Sequence, residues 1–204
     1  IENGPCISVD DVIITRDLQP DAANAGTDQS FCNDSSAVLN AITPTNNGTG
    51  EWDIISGGAQ LSDISDPQAN ITNISGGENI FVWTVRSQYG ACIATSDTTV
   101  ILRDVAPDPA NAGTDRGICD SAEIFLDGNQ VPAGGTGLWT VLSGGSALTD
   151  PNDPKTRVTG LTYGINQFRW EITSQYGICS GSSDIVEITR DEAPDPSFAG
   201  ADQS

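Results

Sequence analysis

The sequence predicts an all-β chain of tandem antiparallel β-sandwiches, and three observations carry that expectation. One pattern recurs with a fixed period of 87 residues, the clearest segments alternate apolar and polar residues, and no useful length shows the 3.6-residue period of an amphipathic helix. Cys32, Trp52, Ser56-Gly57-Gly58, Trp83, Ser87-Gln88-Tyr89-Gly90 and Cys92 return as Cys119, Trp139, Ser143-Gly144-Gly145, Trp170, Ser174-Gln175-Tyr176-Gly177 and Cys179. Ahead of the first full copy, Gly4-Pro5-Cys6 through Arg16-Asp17 matches Gly90-Ala91-Cys92 through Arg103-Asp104 with one residue fewer. The period divides the chain into the end of a preceding repeat (1–19), two complete repeats (20–106 and 107–193) and the start of the next (194–204). A longer parent protein is expected at both ends.

Within a repeat the strands are expected in order. Residues 37–42, 51–55 and 69–74 are short apolar candidates separated by Gly, Asn, Asp and Pro, which form turns. A later strand runs through Phe81, Trp83 and Val85; its copy, Asn166-Gln167-Phe168-Arg169-Trp170-Glu171-Ile172, alternates with the period of two of a half-buried strand. A last strand covers 98–102. Roughly seven short strands spaced by about 8 to 12 residues predict a two-sheet sandwich of immunoglobulin type. Trp52, Trp83 and their copies then fill the core, the alternative being an aromatic platform for sugar. The glycine pairs after residues 56 and 143 are turns; they lack the pattern of a phosphate loop.

These residues resemble a known family. Ala-Asn-Ala-Gly-Thr-Asp-Gln at 23–29, with Trp83 in a late strand, is similar to PKD-type immunoglobulin-like repeats. Adding Cys32, Trp52 with Ser-Gly-Gly, and Tyr-Gly-Ala-Cys at 89–92 gives a pattern that resembles repeats of very large Bacteroidota surface adhesins of the SprB gliding-motility type. The resemblance spans both complete repeats and both partial ones. It implies export to the extracellular, outer-membrane-associated cell surface and service as a length of stalk, an elongated rod of PKD-like domains.

Composition limits the partners. Twenty-eight acidic residues against eight basic ones give a net charge of −20, which repels phosphate backbones and anionic lipid, so nucleic acid is excluded as a partner. No apolar run is long enough to cross a membrane, and direct membrane insertion is not expected.

Five cysteines with no histidine and no Cys-x-x-Cys argue against zinc and for disulfides in an oxidising compartment. Pairing within repeats joins Cys32 to Cys92 and Cys119 to Cys179, leaving Cys6 over; pairing across repeats, Cys6 with Cys32 and Cys92 with Cys119, leaves Cys179 over. The first arrangement closes each repeat with its own staple and is the one expected. It meets a difficulty, because residues after the first and sixth strands of a simple sandwich lie at opposite poles, and a disulfide tolerates a Cα separation of only about 7 Å. Within-repeat pairing therefore needs a vestigial first strand or an early segment that doubles back.

Aspartates crowd the repeat boundaries: Asp17, Asp21 and Asp28 at the first, Asp104, Asp108 and Asp115 at the second, Asp191, Asp195 and Asp202 at the third. Calcium takes six to eight oxygens, and a boundary between tandem domains can supply them from both sides, so no cofactor is required and Ca2+ is the one candidate, with these carboxylates as its ligands. The alternative is that they are turn and capping residues beside Pro and Gly. Asp63 with Asp66 and Asp150 with Asp153, in Asp-x-x-Asp-Pro loops, are assigned to turns. Asp97-Thr98-Thr99 and Asp120-Ser121-Ala122 look like the short Bacteroidota O-glycosylation motif, making Thr98 and Ser121 candidate acceptors.

Enzyme chemistry has little support: without histidine there is no Ser-His or Cys-His pair, and carboxylates copied into every repeat do not mark a single active site. The chain is expected to be a non-enzymatic stalk segment projecting an adhesive region from the cell in surface attachment and gliding, each repeat adding roughly 30 to 40 Å. Its partners are then neighbouring repeats, other surface or motility-machinery proteins and surface polysaccharide. The alternative is a polysaccharide-binding immunoglobulin-like module of a secreted protein.

Overall fold

The computed structural model describes residues 10–198 and 200. Cys6 and Asp202 lie outside the described residues. Among those residues every regular element is a strand, and no helix is long and apolar enough to cross a membrane. The chain separates into two compact units: unit 1 comprises Ile1–Gln29 and Ser35–Ile101, and unit 2 comprises Ser30–Asp34 and Leu102–Ser204.

β1 (Gln29–Cys32) opens the first set of strands, followed by β2 (Ala37–Val38), β3 (Thr49–Ser56), β4 (Gln60–Leu61), β5 (Asn70–Thr72), β6 (Gly77–Arg86) and β7 (Thr95–Asp104). They form a four-stranded sheet in the order β1-β7-β6-β3 and a three-stranded sheet β2-β5-β4. The second set repeats this plan with β8 (Arg116–Cys119), β9 (Glu123–Phe125), β10 (Thr136–Val141), β11 (Ala147–Leu148), β12 (Arg157–Thr159), β13 (Gly164–Thr173) and β14 (Ser182–Asp191). Its sheets are β10-β13-β14-β8 and β11-β12-β9. The expected sandwich is present, and its strand pairs β3-β6, β10-β13, β13-β14, β2-β5, β4-β5, β11-β12 and β12-β9 are antiparallel. β8 lies parallel to β14, pairing Ile188 with Arg116 and Asp191 with Cys119.

Alternation places the core. Phe81, Trp83 and Val85 on β6, and Phe168, Trp170 and Ile172 on β13, are buried as the period of two requires. Trp52 stands opposite Trp83 and Trp139 opposite Trp170 across antiparallel pairs, with ring centroids 5.0 Å apart in both units. All four indoles are core groups, each pair worth about 0.5 to 1.5 kcal/mol beyond the area it buries. Each late indole lies against bare backbone: a Cβ on Gly50 would fall 1.9 Å from Trp83 Cζ2, and one on Gly137 2.3 Å from Trp170 Cη2.

One inward position of the alternating strand is polar in both units. Asn79 and Asn166 are wholly buried. Asn79 Nδ2 donates to the carbonyls of Ser75, Gly77 and Ile101, and its Oδ1 accepts from Ser75 N and Oγ. Asn166 repeats the set with Thr162, Gly164 and Ile188. The amide thus ties the connection entering its strand to the last strand of the same sheet, and full satisfaction is what makes its burial tolerable. This also explains the recurring Ser-Gly-Gly. Gly57 (φ +98°) and Gly144 (φ +86°) adopt backbone that favours glycine, and a Cβ there would stand 2.1 and 2.2 Å from the asparagine Oδ1.

The Asp-x-x-Asp-Pro loops are turns, as expected. Asp63 Oδ1 accepts from Ser65 N, Asp66 from Gln68 N, Asp150 from Asn152 N and Asp153 from Lys155 N. They also receive the early indoles: Trp52 Nε1 donates to Asp66 O and Trp139 Nε1 to Pro154 O.

Candidate functional site

A second polar arrangement common to both units is built around the repeated Ser-Gln-Tyr-Gly phrase. In unit 1 the phrase turns the chain from β6 to β7, with Gly90 at φ +70° and its N–H bonded to Ser87 O. The turn is held by an aspartate 70 residues upstream. Asp17 accepts from Ser87 Oγ at 2.6 Å, Ala91 N at 2.8 Å and Tyr89 N at 3.3 Å. In unit 2, Asp104, the last residue of β7, does the same for the turn between β13 and β14. It accepts from Ser174 Oγ at 2.6 Å, Ile178 N at 2.9 Å and Cys179 N at 3.0 Å.

The electrostatics follow from those donors. The Ser87 hydroxyl holds the Asp17 carboxyl below the ordinary aspartate value; partial burial opposes it, and the N–H groups of Ala91, Tyr89 and Cys92 add to it. Asp104 is almost completely buried, which pushes its carboxyl up. The donors Ser174 Oγ, Cys179 N, Ile178 N and Val105 N outweigh that and hold it low. Each clamp is therefore a carboxylate kept ionised by neutral donors, and the hydroxyl of Ser174 is committed to it rather than free as a nucleophile.

In unit 2 the clamp is also covalent. Cys179, adjacent to the clamped turn, is disulfide-bonded to Cys32, with Cα atoms 4.9 Å apart and a sequence separation of 147. Cys32 ends β1, and Asn33 then takes a left-handed conformation at φ 65°. Asn33 wraps the backbone of the clamping residue: its N donates to Asp104 O, its Oδ1 accepts from Ala106 N, and its O accepts from Arg103 Nε. Residues 30–34 thus belong to unit 2 although they come from the first sequence period.

This corrects the expected cysteine pairing. Cys32 is not bonded to Cys92, nor Cys119 to Cys179, nor does either cross-repeat alternative form; Cys92 is a half-buried thiol and Cys119 an exposed one. For Cys119 and Cys179 the physical reason is the parallel strand β8. Cys119 lies opposite Asp191, the last residue of β14, whereas Cys179 precedes Ser182, its first. Ten residues of strand put them roughly 30 Å apart, far beyond what a disulfide spans.

The aspartates expected to bind calcium are dispersed. Asp21 accepts from the N and Oγ1 of Thr45, Asp28 from Val100 N and Asp115 from Glu187 N, while Asp108, Asp191 and Asp195 are exposed. Among the described residues no three Asp, Glu, Cys or His side chains converge as a metal site would require. Of these carboxylates, Asp17, Asp21, Asp28, Asp104 and Asp115 accept from backbone N–H groups. Thr98 is exposed on β7, and Ser121 is exposed with its Oγ donating to Glu123 O. Tyr89 and Tyr176, the recurring exposed aromatics, sit on the two clamped turns.

The sequence leaves Asp17 and Asp104 between a cation and a turn-capping role and does not show which turn they hold. The signal that finds it is the constant spacing of 70 residues from Asp17 to Ser87 and from Asp104 to Ser174.

No protein-family model matches the chain, and no curated protein matches it. Solved structures do. Sidekick-1 immunoglobulin domains 1–5 align with a TM-score of 0.58 at 12% identity, over 87% of this chain and 40% of that one. Domains 1–4 of the same protein give 0.57 at 14% identity, over 89% and 51%. The two-domain Rst D1-D2 gives 0.55 at 12% identity, over 85% of this chain and all of that one. At these identities the likeness concerns the fold: the chain is built of immunoglobulin-like domains, and it spans about half or less of the Sidekick-1 structures it matches.

Proposed function

We propose that the chain is a load-bearing stalk segment of a large secreted cell-surface adhesin of the SprB type, projecting an adhesive region from the cell in attachment and gliding. The observation that carries this reading is the disulfide that ties position 32 of the first sequence period to position 179 of the second. Tension applied along the backbone crosses that bond directly, so the residues between its ends are shielded while it is intact. Extended chain spans about 3.4 Å per residue, so the bond withholds roughly 500 Å of length. The same bond supports a setting outside the reducing cytosol, since persistent disulfides belong to oxidising compartments. Neighbouring repeats are the first partners on this reading.

Single-molecule stretching of the chain between its termini tests it. The oxidised chain is expected to unravel with a contour length shorter by roughly 500 Å than the reduced chain. Equal lengths in both conditions would remove the mechanical reading. The alternative, a polysaccharide-binding module, is favoured by one observation: Tyr89 and Tyr176 occupy the same exposed position in both units, 58% and 40% accessible. Glycan-array binding abolished by Tyr89→Ala with Tyr176→Ala would establish it.

A further inference from the structure

Cys92 and Cys119 are thiols, yet each occupies a place that is bonded in the other copy. Cys119 is the counterpart of Cys32, and Cys92 the counterpart of Cys179. The surroundings of Cys119 repeat those of Cys32 closely. Asp120 takes a left-handed conformation at φ 59° as Asn33 does at 65°. Asp120 N donates to Asp191 O at 2.9 Å, as Asn33 N does to Asp104 O, and Arg190 reaches Asp120 O as Arg103 reaches Asn33 O. One thing differs. The Asp104 carboxylate is buried under a clamped turn, whereas that of Asp191 is exposed.

A second uncovered surface lies next to Cys92. Asp17, which clamps the turn beside it, is preceded by Val12, Ile13 and Ile14, exposed at 84, 89 and 88%. Ile101, which holds the place of Ile14 in the copy, is fully buried in its sheet. An apolar run of last-strand character that faces solvent is a surface for the sheet it matches.

We infer that Cys119 and Cys92 are each half of a further disulfide of the Cys32–Cys179 kind, completed by another copy of the 87-residue repeat. Cys119 takes the turn cysteine of a copy whose Ser-Gln-Tyr-Gly turn docks on Asp191. Cys92 takes the first-strand cysteine of a copy whose sheet covers residues 12–14. Each bond forms as two thiols give up two protons and two electrons to an oxidised thiol couple, whose own disulfide is reduced to two thiols. The inference needs only the repeat and the observed bond, and holds whether or not the chain serves as a stalk.

Continued along an array, these bonds change what a load can extend. Cys92 and Cys119 are 27 residues apart, and each bond spans 147. Every two periods then expose only 27 residues to tension, about 90 Å of extended chain in place of about 600 Å.

The test uses the full chain lengthened by an in-frame copy of residues 107–193 placed after Ala193, oxidised with glutathione disulfide and mapped by non-reducing peptide mass spectrometry. The expected product keeps Cys32–Cys179 and links Cys119 to the added counterpart of Cys179, with alkylation of Cys119 falling about tenfold relative to the unextended chain. Cys119 still alkylated in a product that holds Cys32–Cys179, or Cys119 linked to Cys92, overturns the inference. A second chain, with a copy of 20–106 inserted before Pro20, covers the case in which the first does not fold. There Cys92 is expected to join the added counterpart of Cys32, and a free Cys92 beside an intact Cys32–Cys179 bond is the contrary result.

Discussion

In unit 2 the indole nitrogen of Trp170 donates to Asn129 Oδ1 at 3.2 Å; the same oxygen accepts from Asn111 N at 2.8 Å, and Asn129 Nδ2 donates to Pro109 O at 3.1 Å. In unit 1 the corresponding residue is Ile42, 61% exposed, and the nitrogen of Trp83 is buried with no hydrogen-bond partner among the described residues. The segment leading into the first strand is pinned there by different groups, Asp21 accepting from Thr45. Unit 2 cannot copy that pin from the backbone, because the counterpart of Thr45 is Pro132, which has no N–H. Arg190 adds a further group without an equivalent, lying 4.0 Å over the Tyr163 ring, where the first period has Gly76. By contrast the Trp pairs, the buried asparagines, their glycines and the aspartate clamps are the same in both. Interior groups that must satisfy one another are fixed together, while surface pins exchange freely as long as the lead-in stays tethered.

The largest effect should fall on the shared interior. Asn79→Ala and Asn166→Ala each strand buried carbonyls and N–H groups, for a loss of about 4 kcal/mol from the affected unit, since each unsatisfied group costs about 1 to 3 kcal/mol. Urea unfolding followed by tryptophan fluorescence should give the two variants losses within about 1 kcal/mol of each other. A clearly smaller loss for one would show that the units do not share an interior plan.

The clamps give a smaller effect that depends on pH. Asp17 and Asp104 both titrate below the unfolded aspartate value of about 3.9. A depressed folded value means the stabilisation is complete above pH ~4 and is lost as pH falls through the folded value, so neither clamp should weaken between pH 8 and pH 5. Amide exchange at Ile178 and Cys179 should accelerate only below pH ~4, and Asp104→Ala should accelerate it at neutral pH by removing about 3 kcal/mol. Acceleration already at pH 6 would mean that another group controls the turn.

Most of the fold was legible because alternation and the 87-residue period are local signals. Phe168, Trp170 and Ile172 announce their strand and its inward face from seven consecutive residues. What stayed hidden depends on partners far away in sequence. Nothing near Asp104 shows that it caps a turn 70 residues on, and aspartates beside prolines look the same whether they bind an ion or an N–H. The cysteine pairing failed for a related reason. A closed staple for each repeat favoured within-repeat pairing, whereas the parallel run of β8 along β14 sets Cys119 at the far end of that strand from Cys179, and Cys179 bonds Cys32, 147 positions away. Cys119 and Cys179 lie at opposite ends of β14, and Cys179 bonds a different partner rather than drawing the strand into a bend.

The smallest expected effect is the most direct probe of the difference between the units. Ile42→Asn offers unit 1 the acceptor that Trp83 Nε1 lacks, and removes an exposed apolar side chain at the same time. It should stabilise unit 1 by about 1 kcal/mol, the net value of one hydrogen bond to a previously unsatisfied donor. Asn129→Ile should do the reverse in unit 2 and cost more, about 2 kcal/mol, because it leaves both Trp170 Nε1 and Asn111 N without their acceptor. The asymmetry is the informative quantity. In unit 1 the lead-in is already held by Asp21 and Thr45, so a new amide there satisfies the indole alone, whereas in unit 2 the one amide both satisfies the indole and tethers the lead-in. Thermal unfolding of the two single variants and of the exchanged pair separates these roles. If Ile42→Asn gained as much as Asn129→Ile lost, the tether to Asn111 would contribute nothing and the indole bond would account for the whole difference.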